Sequence, residues 1–195
     1  MSNIHFNRPR TVAAGIALVG LAAASAVLSA SPAGATSASA AITAGSLAFV
    51  STPASVGFSA TLNGTDQTPT AVSTFDIGDA TGSGVGWNVT ATSTTFTTGG
   101  GTPKLLPTTA TSVQTAPTVA CDSSVTCTTA TNAISYPFVL PAGTTAPTAQ
   151  KLFNSAANTG MGNQTVSATF RLSVLANTFA GTYTSTWTYS LVSAP

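Results

Sequence analysis

The sequence predicts an all-β fold: a single antiparallel β-sandwich domain that follows an N-terminal signal peptide. Three observations carry this. Short stretches alternate apolar and polar residues with period two, the pattern of a strand with one buried face. Thr and Val, stiff at χ1 and suited to a pleated surface, dominate, while Gly and Pro punctuate the chain. Good helix formers are scarce, with no Glu anywhere and only five Lys and Arg together.

In chain order, the first feature is the leader. Arg8 and Arg10 precede a run of small apolar residues from Thr11 to about Leu28, and Ser31-Pro32-Ala33-Gly34-Ala35 offers a small-x-small cleavage site. This is the three-part layout of a secretory signal, read as residues 1–35, with Ala38-Ser39-Ala40 as a later site. The rival reading is a retained membrane anchor, disfavoured because the run is Ala- and Ser-rich. Pro9 separates the two arginines, which argues against a twin-arginine signal. Residues 36–195 then form the exported domain, about 160 residues, enough for one core.

Strands are predicted at 46–50, 56–62, 71–77 and 87–95, with Asn63-Gly64 as a hairpin-type turn after the second. Residues near 97–130 read as an irregular insertion that includes the Gly99-Gly100-Gly101 run. Within it, Leu106-Pro107-Thr108-Thr109 has a faint likeness to a sortase signal but lacks its final Gly, and is read as a loop. A strand at 134–140 is interrupted by Pro137, which suits an edge or a bend. Residues 150–157 are the one stretch with a short-helix pattern. The clearest strand is 166–174, with Val166, Ala168, Phe170, Leu172 and Val174 on one face. Another at 182–192 puts Tyr183, Trp187, Tyr189 and Leu191 on one face, and the turn Asn177-Thr178-Phe179-Ala180-Gly181 suggests a hairpin between the two.

Charge narrows the function. Residues 36–195 carry Lys104, Lys151 and Arg171 against Asp66, Asp76, Asp79 and Asp122, a formal charge of −1. Such a chain lacks the clustered cations that grip nucleic acid phosphates or an anionic membrane. His5, the lone histidine, leaves with the signal, so triad chemistry and histidine metal sites have no members in the domain. No catalytic residue, cofactor or metal ligand set is assigned, and the domain is expected not to be an enzyme. Asp76 and Asp79 are the closest acidic pair; a weak calcium site is one reading and a strand ending in a solvated turn the simpler one. Three Asn-x-Thr matches, at Asn63, Asn88 and Asn163, are expected by chance in a Thr-rich chain. Cys121 and Cys127, with five residues between them, are expected to form a local structural disulfide in an oxidising compartment. Neither a redox C-x-x-C nor a metal set fits them.

Two aromatic segments remain: Gly86-Trp87-Asn88-Val89 and the terminal Tyr183-Thr184-Ser185-Thr186-Trp187-Thr188-Tyr189-Ser190-Leu191-Val192-Ser193-Ala194-Pro195. Here the chain resembles the WxL-domain surface proteins of Gram-positive bacteria, whose domains carry one Trp-x-Leu in mid-domain and a second within Y-x-x-x-L-x-W-x-L-x-x-x-P. Trp87 fits the first motif, with Val89 at the Leu position. In the second, Tyr183, Leu191 and Pro195 match in register, which puts Trp187 at a Leu position and Tyr189 at the Trp position; Trp187-Thr188-Tyr189 shifted by two is the other reading. The resemblance implies secretion and non-covalent attachment to cell-wall peptidoglycan, leaving room for other surface proteins as partners. The six motif residues are candidate ligand contacts, because an aromatic ring can stack on a sugar face while Asn, Thr and Ser bond its hydroxyls. Equally, their shared strand faces suit core positions between two sheets. The alternative function is a self-assembling structural subunit (fibre, coat or pilin-like) on the cell surface.

Overall fold

Alternation along the chain resolves into ten strands among the described residues. The structure, a computed structural model, describes Gly34 and residues 36–195, so the signal read over 1–35 falls, but for Gly34, outside the described residues. The strands are β1 (Leu47–Ser51), β2 (Thr70–Asp79), β3 (Trp87–Thr94), β4 (Thr111–Val113), β5 (Thr118–Cys121), β6 (Phe138–Val139), β7 (Ala142–Gly143), β8 (Gln150–Ser155), β9 (Gly162–Leu172) and β10 (Trp187–Ser193). No described helix is long and apolar enough to cross a membrane.

Two sheets form. In the first, β9 is central: β2 then β1 lie on one side, while β4 and β5 share the other, with β6 beyond β4. In the second, β3 is central: β10 lies on one side, and β8 and β7 share the other. Every pairing is antiparallel except the short β3–β7 contact. The all-β, sandwich-like, mainly antiparallel fold predicted from the sequence is therefore what the chain adopts.

The core lies between the sheets, built from the inward parity of each central strand. Phe75 and Ile77 of β2 and Val166, Ala168 and Phe170 of β9 meet Trp87, Val89 and Ala91 of β3 and Leu152 and Phe153 of β8. Aromatic rings bridge the gap edge to face, Phe75 on Tyr189 at 4.7 Å and Phe170 on Trp187 at 4.8 Å between centroids. Each fully buried large side chain contributes about 1.5–3 kcal/mol of transfer free energy, which makes this layer the main source of stability.

Several local expectations are corrected. Residues 150–155 are a strand, not a helix: Phe153 stands opposite Val89, and a bulge in the β3–β8 register lets Leu152 and Phe153 both turn inward. Pairing and burial outweigh the weak local helix preference there. The proposed hairpin of 166–174 with 182–192 does not form, since β9 and β10 belong to different sheets. Both edges of β9 are already occupied, and the chain instead crosses the end of the sandwich through a turn at Leu175–Thr178 and a bridge from Thr184 to Thr97. The region near 97–130 is not wholly irregular, for β4 and β5 within it complete the far side of β9. Of 134–140 only Phe138–Val139 pairs, just after Pro137. Residues 56–62 form no strand, although their alternation is genuine, with Val56 and Phe58 turned inward.

Cys121 and Cys127 are joined, with Cα atoms 5.7 Å apart. Asp76 and Asp79 do not converge. They point to opposite faces of β2, and Asp79 closes an Asx turn by accepting from the Thr81 amide (3.0 Å) and hydroxyl (2.7 Å). Among the described residues no group of three or more His, Cys, Asp or Glu could hold a metal ion. Asn63 caps a similar turn, accepting from the Thr65 amide at 3.0 Å, with Gly64 at φ +83° beside it. It connects no hairpin, because the segment before it is unpaired.

Candidate functional site

The six motif residues split into three environments. Trp87 and Val89, on the inner face of β3, are sealed at 0% and 1% exposure. The Trp87 indole donates to the Gly160 carbonyl at 2.9 Å, and its ring lies 5.7 Å from Phe153. Gly160 holds φ +77°, and a Cβ there would stand 2.6 Å from the indole nitrogen, so the turn at 158–160 is moulded to this ring. Both residues are thus packed where no ligand reaches them.

Trp187, Tyr189 and Leu191, on the inner face of β10, are half-buried along the edge of the core. Trp187 is the hub of an aromatic cluster with Phe58 (6.3 Å), Phe96 (6.4 Å) and Phe170 (4.8 Å). Loss of water around the Tyr189 hydroxyl, which faces Ser73 across the sheets, pushes its pKa well above the usual phenol range, so it stays neutral.

Trp187 and Tyr189 line a channel of about 690 Å³ shared with Tyr183, and Tyr183 opens in addition onto a second concave surface. It lines a groove of about 520 Å³ at one end of the sandwich, with Phe58, Phe96, Leu62, Leu106, Leu172 and Phe179 among its apolar walls. Ser59, Thr178 and Thr182 add hydroxyls, and no charged side chain lines it. A shallower depression of about 390 Å³ adjoins it, sharing Leu106, Thr178, Phe179 and Tyr183 and adding Leu105 and Leu175. Phe179 is 62% exposed, and the Lys104 ammonium sits 4.4 Å from its ring centroid.

The groove is held by specific local bonds. Asp66 accepts from the Ala176 amide at 2.8 Å, which pins the start of the 175–183 crossover to the loop before β2. The Tyr183 hydroxyl donates to the Phe179 carbonyl at 2.9 Å, which ties the Tyr183 ring to the backbone of the crossover. Lys104 is placed by a short loop whose Thr98 amide donates to the Lys104 carbonyl, while the Lys104 amide donates to the Thr98 hydroxyl, both at 3.0 Å.

Such a surface offers ring faces, hydroxyls and one cation at the rim. It suits stacking against a neutral ring with hydrogen bonds around it. It lacks a carboxylate for acid–base work: Asp76 and Asp122 lie together on the outer face of the first sheet, away from the groove's lining. Of the groove residues, sequence reasoning singled out Tyr183 alone. Phe179 had a signal that was passed over, an aromatic inside a connecting turn rich in small residues, where nothing local could bury it. Phe58, Phe96 and Leu106 carried no such mark, because only the fold brings them together. Comparison of the chain with protein families, with curated proteins and with solved structures found no match.

Proposed function

We propose that this chain is a secreted surface protein that associates non-covalently with bacterial cell-wall peptidoglycan through a WxL-like β-sandwich, using the groove around Tyr183 and Phe179. The observation that carries the reading is the groove's chemistry: the aromatic rings of Tyr183 and Phe179, the first tied through its hydroxyl, with three Ser and Thr hydroxyls and no acid. Peptidoglycan presents N-acetylated sugar rings, whose apolar faces suit aromatic stacking, and short peptides, whose carboxylates suit Lys104 at the rim. The sealed Trp87 acts by shaping the domain, and Tyr183 is the motif residue that lines this groove.

The test is sedimentation of the purified chain with isolated Gram-positive cell walls. The chain is expected to pellet over a range of salt, and Phe179→Ala to weaken pelleting about tenfold, equivalent to ~1.4 kcal/mol. Phe179 is exposed, so this variant should keep the fold. A chain that stays in the supernatant at every salt concentration refutes the proposal.

A further inference from the structure

Among the described residues, strand β10 carries an edge whose backbone groups have no backbone partner. Thr184 exchanges two backbone hydrogen bonds with Thr97 (2.9 and 3.0 Å), and the Thr94 amide donates to the Thr186 carbonyl at 2.9 Å. In an antiparallel ladder successive residues face opposite sides. Even-numbered residues of this segment therefore point their amides and carbonyls at β3, while Ser185, Trp187, Tyr189 and Leu191 point theirs away from it. Among the described residues no strand takes these up, since β10 ends its sheet. Among the described residues, none of 52–66 exchanges a backbone–backbone hydrogen bond, although 52–56 runs alongside. An open channel of about 690 Å³ separates residues 52–56 from 183–189.

The edges at β1, β6, β7 and β8 are guarded in the ways that usually prevent strand addition. The β1 register is broken between Phe49 and Ser51, and Pro53 follows. Strands β6 and β7 are two residues each, beside Pro137 and Pro141. Strand β8 carries Lys151, and its outer side is bonded by the 131–136 loop, with the Tyr136 hydroxyl donating to the Leu152 carbonyl (2.6 Å) and Asn154 bonded to Asn132 and Ala133. Strand β10 has none of these devices. Its seven pairs with β3 run without a bulge, and neither a charged residue nor a proline lies between Arg171 and Pro195.

We infer that the outer edge of β10 is a strand-addition site whose occupant is the same edge of a second copy of this chain, running antiparallel about a twofold axis. The edge is self-complementary: it is uncharged, so two copies meet without repulsion, and each supplies the donors and acceptors that the other lacks. Joining the sheets across the pair also covers the half-buried Trp187, Tyr189 and Leu191 at the rim of each core. This site is separate from the wall-binding reading and is measured without walls.

The experiment is sedimentation velocity of the purified chain over a concentration series up to the millimolar range, with Thr188→Lys and Thr188→Asp variants. The Thr188 side chain is exposed, so both should fold, which far-UV circular dichroism checks. The wild type is expected to form a dimer and each variant alone to associate at least about tenfold more weakly, because like charges meet across the new pair. An equimolar mixture of the two variants should recover association. A wild type that is monomeric throughout, a Thr188→Lys variant that dimerises like the wild type, or a mixture that stays monomeric overturns the inference.

Discussion

Removing the Trp87 side chain separates a core role from a contact role, and the structure sets the size of the effect. The ring is fully buried against Phe153, and its N–H satisfies the Gly160 carbonyl. Trp87→Ala leaves a cavity that the surrounding strands cannot close, at a cost of about 3–5 kcal/mol. The carbonyl it abandons adds about 1 kcal/mol or more if it stays dry. Against a typical total stability of roughly 5–15 kcal/mol, the variant should be close to unfolding. Trp87→Phe keeps an aromatic ring against Phe153 but deletes the donor, and should cost about 1–3 kcal/mol. Urea unfolding followed by circular dichroism gives both values, and the fluorescence of Trp187, then the lone tryptophan, supplies a second probe. In wall sedimentation, Trp87→Phe should pellet like the wild type wherever it is folded. A loss of less than about 1 kcal/mol for Trp87→Ala, the centre of the range for point substitutions of every kind, refutes the core role. So does a fully folded Trp87→Phe that no longer pellets.

Gly160→Ala should destabilise by about 3 kcal/mol, combining a left-handed backbone with a clash against Trp87 and Ser155. Gly64→Ala, at a similar φ of +83° but with open space around it, should lose only about 1 kcal/mol, and equal losses in urea titrations would contradict the packing argument. Burial first, and then the nearby Asp122 carboxylate, hold the Asp76 pKa above its ordinary value of 3.8. The folded state therefore binds that proton more readily than the unfolded state, and stability falls as pH rises from 3.8 through the raised value. Asp76→Asn should accordingly be more stable than the wild type at neutral pH and lose that advantage on acidification below 3.8; thermal melts at the two pH values decide it. Opening the Cys121–Cys127 bridge, by reductant or by replacing both with Ser, should lower stability by about 2 kcal/mol, the chain-entropy value for so short a loop. A fold that collapses altogether on reduction would show that the bridge does more than staple its own loop.

The amino-acid pattern by itself determined which faces are buried. Phe75 and Ile77, Trp87 and Val89, and Val166, Ala168 and Phe170 are inward in the structure because period-two spacing leaves a strand no other choice. It also determined the Cys pair, since the chain holds no third cysteine, and the lack of His and Glu in residues 36–195. Tertiary structure decided which strand lies beside which. Residues 166–174 and 182–192 have the pattern of hairpin partners, yet β9 took β2 on one side and β4 and β5 on the other, leaving β10 to pair with β3. Residues 150–155 became a strand and 56–62 did not, although the second has the better alternation, because only the first found an open edge on β3. The groove around Tyr183 has the same origin: Phe58, Phe96, Leu106 and Phe179 come from four separate segments. Alternation is a local property that specifies the face of a strand. Pairing and concavity depend on contacts between residues far apart in the chain, and no local pattern specifies those.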